Sequence, residues 1–429
     1  MYDDRKHGDL YKYVETNPLN YWVNERNYST AIIADAEKIE KINAEINSRM
    51  IEIYKSIPRE LATYNLLDYE TSIAREIIVD MIKIIADKFF QSIPNDNYYN
   101  FDSLLERNEI SYAVVTEKSN IRIIPTDLRI FCDQSMDRVQ GTSVKFGDPL
   151  VVLHKTMDGV WSFVRTYNNV MGWIRTKNIA LTSRDEFANH INMNDFLVVI
   201  SKNELINGSY LDMGVRLKLE DENREFYTIK FPMRDKNGLL YFRNIKLEKG
   251  PGLHRSYLAY SEKNIVEQAM KYYGTPYEWG SADNGIDCSG LVLNVYSVFG
   301  LRLPRNSSKQ RTMGDSKLFS SSHGASNMYY YFFGNMQTMR VSRVLNGTRT
   351  GSILYFPGHV MLYLGRVANR HYVLHAVYRY SKNYGYMKYE QCYPRQVEVS
   401  FLENLRKSSS GRVSFMNSLV SVTSITTTE

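Results

Sequence analysis

Apolar residues recur every three to four positions in the first part of the chain: Ala31, Ile32, Ile33, Ala36, Ile39, Ile42, Ile46 and Ile51, then a second run from Ile73 to Ile85. That is the period of a helix with one buried face, so residues 28–91 are expected to be α-rich. The turn cluster Pro94 to Asn100 closes this region. From about Ser111 to Leu181 the pattern changes to short alternating bursts such as DPLVVLH and VWSFVRT, cut by turn signals at Gly141, Gly147-Asp148, Asp158-Gly159 and Asn168-Asn169. Short strands joined by tight turns predict a small β-barrel. A second β-rich stretch covers about Phe196 to Leu247, with a hairpin signal at Asp235 to Gly238. From Ser261 the helical period returns, a second helix is expected from Cys288 to about Phe299, and strands follow at SILYF, HVMLYLG and HYVLHAVYRY. The serine- and threonine-rich end reads as a frayed tail.

These patterns divide the chain into a helical segment (1–106), two barrels (107–181 and 182–252), an α+β domain (253–407) and a flexible tail (408–429). A length of 429 residues suits such a division, since one domain takes about 100–200 residues. The net charge of +6 is too weak and too dispersed to argue for a nucleic-acid partner, and none is expected. No run approaches the roughly 18 apolar residues of a membrane span, and the start lacks the apolar core of a secretory signal. The expectation is a soluble monomer, located in the cell envelope (periplasm or secreted) if an export signal has been removed and in the cytoplasm otherwise. The 33 tyrosines are assigned to an aromatic core by default.

Three cysteines, Cys132, Cys288 and Cys392, make no disulfide framework, so at least one is expected free. Cys288 lies in GIDCSGLV, where Asp287 or a neighbour can cap a helix and leave the sulfur at its N-terminus, a position that favours the thiolate. A thiolate nucleophile needs a base within reach and a third group to orient that base. His359 opens an apolar strand directly after Pro357-Gly358, and His375 lies on the next strand, which would pair antiparallel with the first. His371, four residues earlier, shares the face of His375 by period 2, and strand arithmetic does not choose between them. No CxxC pair or HExxH motif is present, so no metal or other cofactor is called for.

The motifs GTPYEWG (274–280), DCSG (287–290), LPRNSSKQ (303–310), GHVMLYLG (358–365) and LHA (374–376) together resemble the NlpC family of papain-like cysteine peptidases, which are bacterial cell-wall hydrolases. Residues 122–180 resemble the bacterial SH3-like modules that precede the peptidase in multidomain members, and residues 32–49 resemble their N-terminal helical segment. The resemblance implies a multidomain architecture: an α+β papain-like C-terminal peptidase domain preceded by two small all-β SH3-like barrels and the helical segment.

It implies roles as well. Cys288 would be the nucleophile, His359 the general base and His375 the polar third member, with His371 its competitor. Tyr277 would sit beside the cysteine and help the Cys288 backbone N–H hold the oxyanion. Asp287, Ser289 and Ser307 fall where relatives accept the free amino end of a stem peptide. The implied reaction cuts γ-D-glutamyl-diamino acid bonds in peptidoglycan stem peptides that carry a free N-terminal L-alanine, with the first barrel acting as a gate. A cell-wall amidase on the same fold and a non-catalytic peptidoglycan-binding protein are the alternatives. The long aromatic stretch from Arg311 to Thr350, including Asn327 to Asn335, reads either as ordinary core or as a loop beside the cleft that could close over a substrate.

Overall fold

The computed structural model describes residues 7–53, 66–68, 72–87, 96–133, 136–311, 315–318, 339–383, 389–407 and 413–425. Asn327 to Asn335 lie outside the described residues. The chain forms two compact units: residues 1–46, 259–277 and 285–429 make one, and residues 47–258 with 278–284 make the other. The expected helical segment 1–106 is therefore divided between them.

In the first unit, six strands form an antiparallel sheet in the order Asp315–Leu318, Ser421–Ser424, Ile353–Phe356, His359–Val367, Arg370–Val377, Gln396–Phe401. The adjacent strands His359–Val367 and Arg370–Val377 are largely apolar, which suits burial on both faces, and nearly every residue in them is buried. The helices Glu262–Met270 and Cys288–Ser297 belong to this unit, the first capped by Ser261, whose hydroxyl accepts from the Asn264 N–H.

The N-terminal residues contribute a helix at Gly8–Thr16 and a π-helical turn at Asn20–Glu25, neither expected from periodicity. Trp22 is fully buried against Tyr372, and the Arg370 guanidinium lies 3.8 Å over the ring of Tyr11. Ala31, Ile32 and Ile33, expected in a helix, lie outside it, before the helix begins. The Ile33 N–H donates to the Tyr260 carbonyl and Ala34 bridges Tyr260, so a backbone partner displaces the local helical preference. The helix that does form is Ala36–Ile53.

Residues 413–425 correct the expectation of a tail. Phe415, Met416, Leu419 and Val422 are buried in the core of this unit, and Ser421–Ser424 pairs on both of its edges inside the sheet. The apolar spacing within SFMNSLVSV was masked by the serine- and threonine-rich composition around it.

In the second unit, a seven-stranded antiparallel sheet runs in the order Ile179–Thr182, Ser111–Val115, Pro149–Lys155, Trp161–Thr166, Met171–Arg175, Ser119–Arg122, Gln140–Val144. Its core gathers Val114, Val151, Phe163 and Trp173 around Tyr99 and Phe187. Gly172 is required by close approach: a Cβ there would meet the Arg122 carbonyl oxygen at 2.6 Å. A five-stranded antiparallel sheet follows, built from Phe196–Val199, Arg216–Glu222, Phe226–Arg234, Leu240–Glu248 and Leu253–Arg255. The hairpin expected around Asp235 to Gly238 joins two of its strands.

Candidate active site

The segment leading to Cys288 is fixed on both sides. Ile286 is buried, donates its N–H to the Pro276 carbonyl and bridges Tyr277. Asp287 then takes an extended conformation (φ −95°, ψ 175°) as the N-cap, and its carboxylate accepts the Gly290 N–H at 2.7 Å. Cys288 is the first helical residue. Its sulfur receives backbone hydrogen bonds from Val360 and Ser289, which puts it at the head of the strand that begins with His359. Enclosure of the sulfur pushes the thiol up to about 12, with the Asp287 charge adding to the rise and Val360, Arg305 and Ser289 opposing it. The helix start alone favours a thiolate, but here desolvation outweighs it and the thiol rests protonated.

His359 and His375 come together from two adjacent strands: His359 Nε2 lies 2.9 Å from His375 Nδ1. His359 is held well below its ordinary pKa by burial first, then by His375 and Lys407, so it rests as a neutral imidazole. His375 is fully buried, and its Nε2 lies 3.3 Å from Ser400 Oγ and 3.8 Å from Glu398 Oε1. Ser400 donates to Glu398 Oε1 at 2.6 Å. His371 points into a separate environment. Its Nδ1 meets the Tyr363 hydroxyl at 2.7 Å and its backbone N–H meets Glu403. It shares the face of His375, but four residues along a strand is about 13 Å.

Glu398 and Ser400 were missed in the sequence. Gln396 to Ser400 alternates like an ordinary half-buried strand. The available signal was a polar face opposite a histidine-bearing strand.

The other expected residues are distributed differently. Asp287 is buried and ion-paired: Arg305 Nη2 donates to its Oδ2 at 2.5 Å and Arg305 Nη1 donates to Ser289 Oγ at 2.8 Å. These three residues form one internal network under the cysteine, so the Asp287 charge is balanced within the protein and Arg305 is not an outward-facing cation. Ser307 is the first residue of the short helix Ser307–Gln310 and is partly exposed. Tyr277 is partly exposed, packs edge-on to Tyr378 with ring centroids 6.1 Å apart, and is electrostatically coupled to Arg305. Cys392 is a free thiol like Cys288, and the side chain of Cys132 lies outside the described residues. Among the described residues no cluster of His, Cys, Asp and Glu is placed to hold a metal ion, and no helix is long and apolar enough to cross a membrane.

A cysteine at a helix start, set against paired histidines on an antiparallel sheet, defines a papain-like thiol peptidase domain. Residues 274–396 match the NlpC/P60 family, and residues 133–175, within the seven-stranded sheet, match an SH3 domain of the SH3b1 type. The chain thus carries an NlpC/P60 cysteine peptidase domain preceded by a bacterial SH3 domain. It is 31% identical over 84 residues to a bifunctional muramidase/DL-endopeptidase of Bacillus subtilis, covering 19% of this chain and 25% of that protein. It is 25% identical over 192 residues to a gamma-D-glutamyl-L-lysine dipeptidyl-peptidase of Bacillus cereus, covering 40% and 54%. The matches therefore span about a quarter to a half of those relatives. The fold is shared with an NlpC/P60 endopeptidase from Photobacterium damselae subsp. piscicida, at a TM-score of 0.66 and 17% identity over 95% of this chain and 96% of that one.

Proposed function

We propose that this protein is a cysteine endopeptidase of the cell envelope that cuts the γ-D-glutamyl-diamino acid bond of peptidoglycan stem peptides bearing a free N-terminal L-alanine. The observation that carries the reading is the His359 to His375 hydrogen bond at 2.9 Å, with the backbone of the next residue, Val360, hydrogen-bonded to the sulfur of Cys288. The names of the matched relatives support the substrate class.

The thiol and the imidazole both rest neutral, so attack and proton transfer go together. The Cys288 sulfur bonds to the carbonyl carbon as its proton passes to His359, and the carbonyl π electrons move onto oxygen. The oxyanion is held by the Cys288 backbone N–H and by Tyr277. His359 then gives the proton to the departing amine, the C–N bond breaks, and a thioester remains. Water attacks the thioester with His359 again as base, releasing the γ-D-glutamyl acid and restoring the thiol. Of the residues expected to hold the free amino end, Ser307 is partly exposed, while Asp287 and Ser289 are engaged by Arg305 inside the protein.

Full-length protein incubated with L-alanyl-γ-D-glutamyl-diamino acid peptides, with and without N-acetylation of the alanine, tests this by mass spectrometry. Cleavage of the unblocked peptide at the γ-glutamyl bond is expected, with loss by roughly 10³-fold or more in Cys288→Ala. Equal cutting by Cys288→Ala would overturn the assignment of the nucleophile. Equal cutting of the acetylated peptide would overturn the requirement for a free amine.

A further inference from the structure

We propose that Ser400 and Glu398 are positioning residues that fix the tautomer of His375, and through it decide which nitrogen of His359 is basic. The inference rests on the reading of His359 as the base. Strand Arg370–Val377 pairs with Gln396–Phe401 so that His375 lies opposite Glu398, and period 2 places Ser400 on the same face. The single hydroxyl proton of Ser400 goes to Glu398 at 2.6 Å, so toward the ring Ser400 Oγ accepts. An ionised carboxylate only accepts. Burial acts to raise the Glu398 pKa, but hydrogen bonding and charge from His375, with hydrogen bonds from Ser400 and Tyr380, bring it below the usual range.

Facing two acceptors, His375 Nε2 carries the ring proton and Nδ1 is bare. His359 Nε2, 2.9 Å from that bare nitrogen, must then be an N–H. A neutral imidazole has one N–H, so His359 Nδ1 is left bare and able to take the Cys288 proton. With His375 in the opposite tautomer, two N–H groups would face each other across 2.9 Å, and His359 would have to turn or carry its proton on the wrong nitrogen. When His359 is protonated during the reaction, no proton moves beyond it. The Glu398 charge stabilises the cation through Ser400 and His375.

The test uses the full-length protein. In Glu398→Gln the amide NH₂ can donate to Ser400, freeing the serine proton to turn toward His375 Nε2 and reverse the tautomer. An acid-to-amide change behind the histidine of a serine-protease triad costs about 10⁴-fold in kcat. With Ser400 and His375 intervening, a fall of about 10²- to 10³-fold in kcat with KM little changed is expected. Ser400→Ala leaves the carboxylate facing Nε2 and should lose about tenfold or less. In ¹⁵N-histidine NMR the wild type should show His375 protonated at Nε2, and Glu398→Gln should show mixed or reversed protonation.

A wild-type His375 protonated at Nδ1 would overturn the proposal without any variant. So would a Glu398→Gln protein within threefold of wild-type kcat, provided that His375→Ala is inactive. An active His375→Ala would instead overturn the reading of His359 and His375 themselves.

Discussion

Replacing Arg305 by methionine tests how the cysteine is seated. Arg305 and Asp287 meet at 2.5 Å with about 10% and 9% of their side-chain surfaces exposed. Removing one member of such a pair leaves the other as a buried charge, at about 3–5 kcal/mol. Asp287→Asn carries a similar cost for the opposite reason: asparagine still caps the helix, but the guanidinium is left buried without this carboxylate. The double variant buries no net charge, and its destabilisation should fall at least about 2 kcal/mol short of the sum of the singles. Because two units need not unfold together, the readout should be local: the urea dependence of Cys288 alkylation, followed by peptide mass spectrometry. With a slope of about 2 kcal/mol per molar urea, the Arg305→Met midpoint should drop by about 2 M. A drop below about 0.5 M, or strict additivity in the double variant, would refute the view that this ion pair anchors the helix start.

Two further outcomes follow. Burial holds His190 at about 4 against an ordinary 6.5, with its Nε2 on the Gly147 carbonyl at 2.7 Å, so the unfolded chain binds a proton that the folded one refuses. Its contribution is complete above pH 6.5 and is lost as pH falls toward 4, by roughly 3 kcal/mol, and His190→Gln should flatten that part of the stability curve. Phe415 packs edge-on to Phe356 and His359, with ring centroids 5.2 and 6.0 Å apart, so Phe415→Ala should destabilise by about 3–5 kcal/mol in chemical denaturation. An unchanged midpoint would show that residues 413–425 contribute no packing.

The residues proposed to react are legible because each lies at a recognisable place in the chain: Cys288 after a capping aspartate, His359 after Pro357-Gly358, His375 within the apolar run YVLHAV. Their partners are not, because pairing across strands leaves no local trace. Nothing in VEVSF says that Glu398 will face His375, and that His371 meets Tyr363 rather than His359 shows only in the structure. The capping position is legible to within a residue and falls on Asp287, but its partner Arg305, eighteen residues on, is not, and it holds the carboxylate inside the protein. Trp22 and Tyr11 showed no helical period, since their partners Tyr372 and Arg370 lie some 350 residues away in sequence.

That separation has a consequence in time. The unit holding Cys288 is discontinuous, with residues 47–258 lying between its first and second stretches. At a synthesis rate of about 5–20 residues per second, Trp22 leaves the ribosome roughly 20 to 70 seconds before Tyr372 exists to cover it. During that interval the nascent chain displays an indole and Tyr11 with no sheet to receive them, and the strands of the other unit are completed before Tyr372 is made. Chaperone capture in the cell, or slow docking of residues 7–46 during refolding, is the kinetic price of building one peptidase core from both ends of the chain.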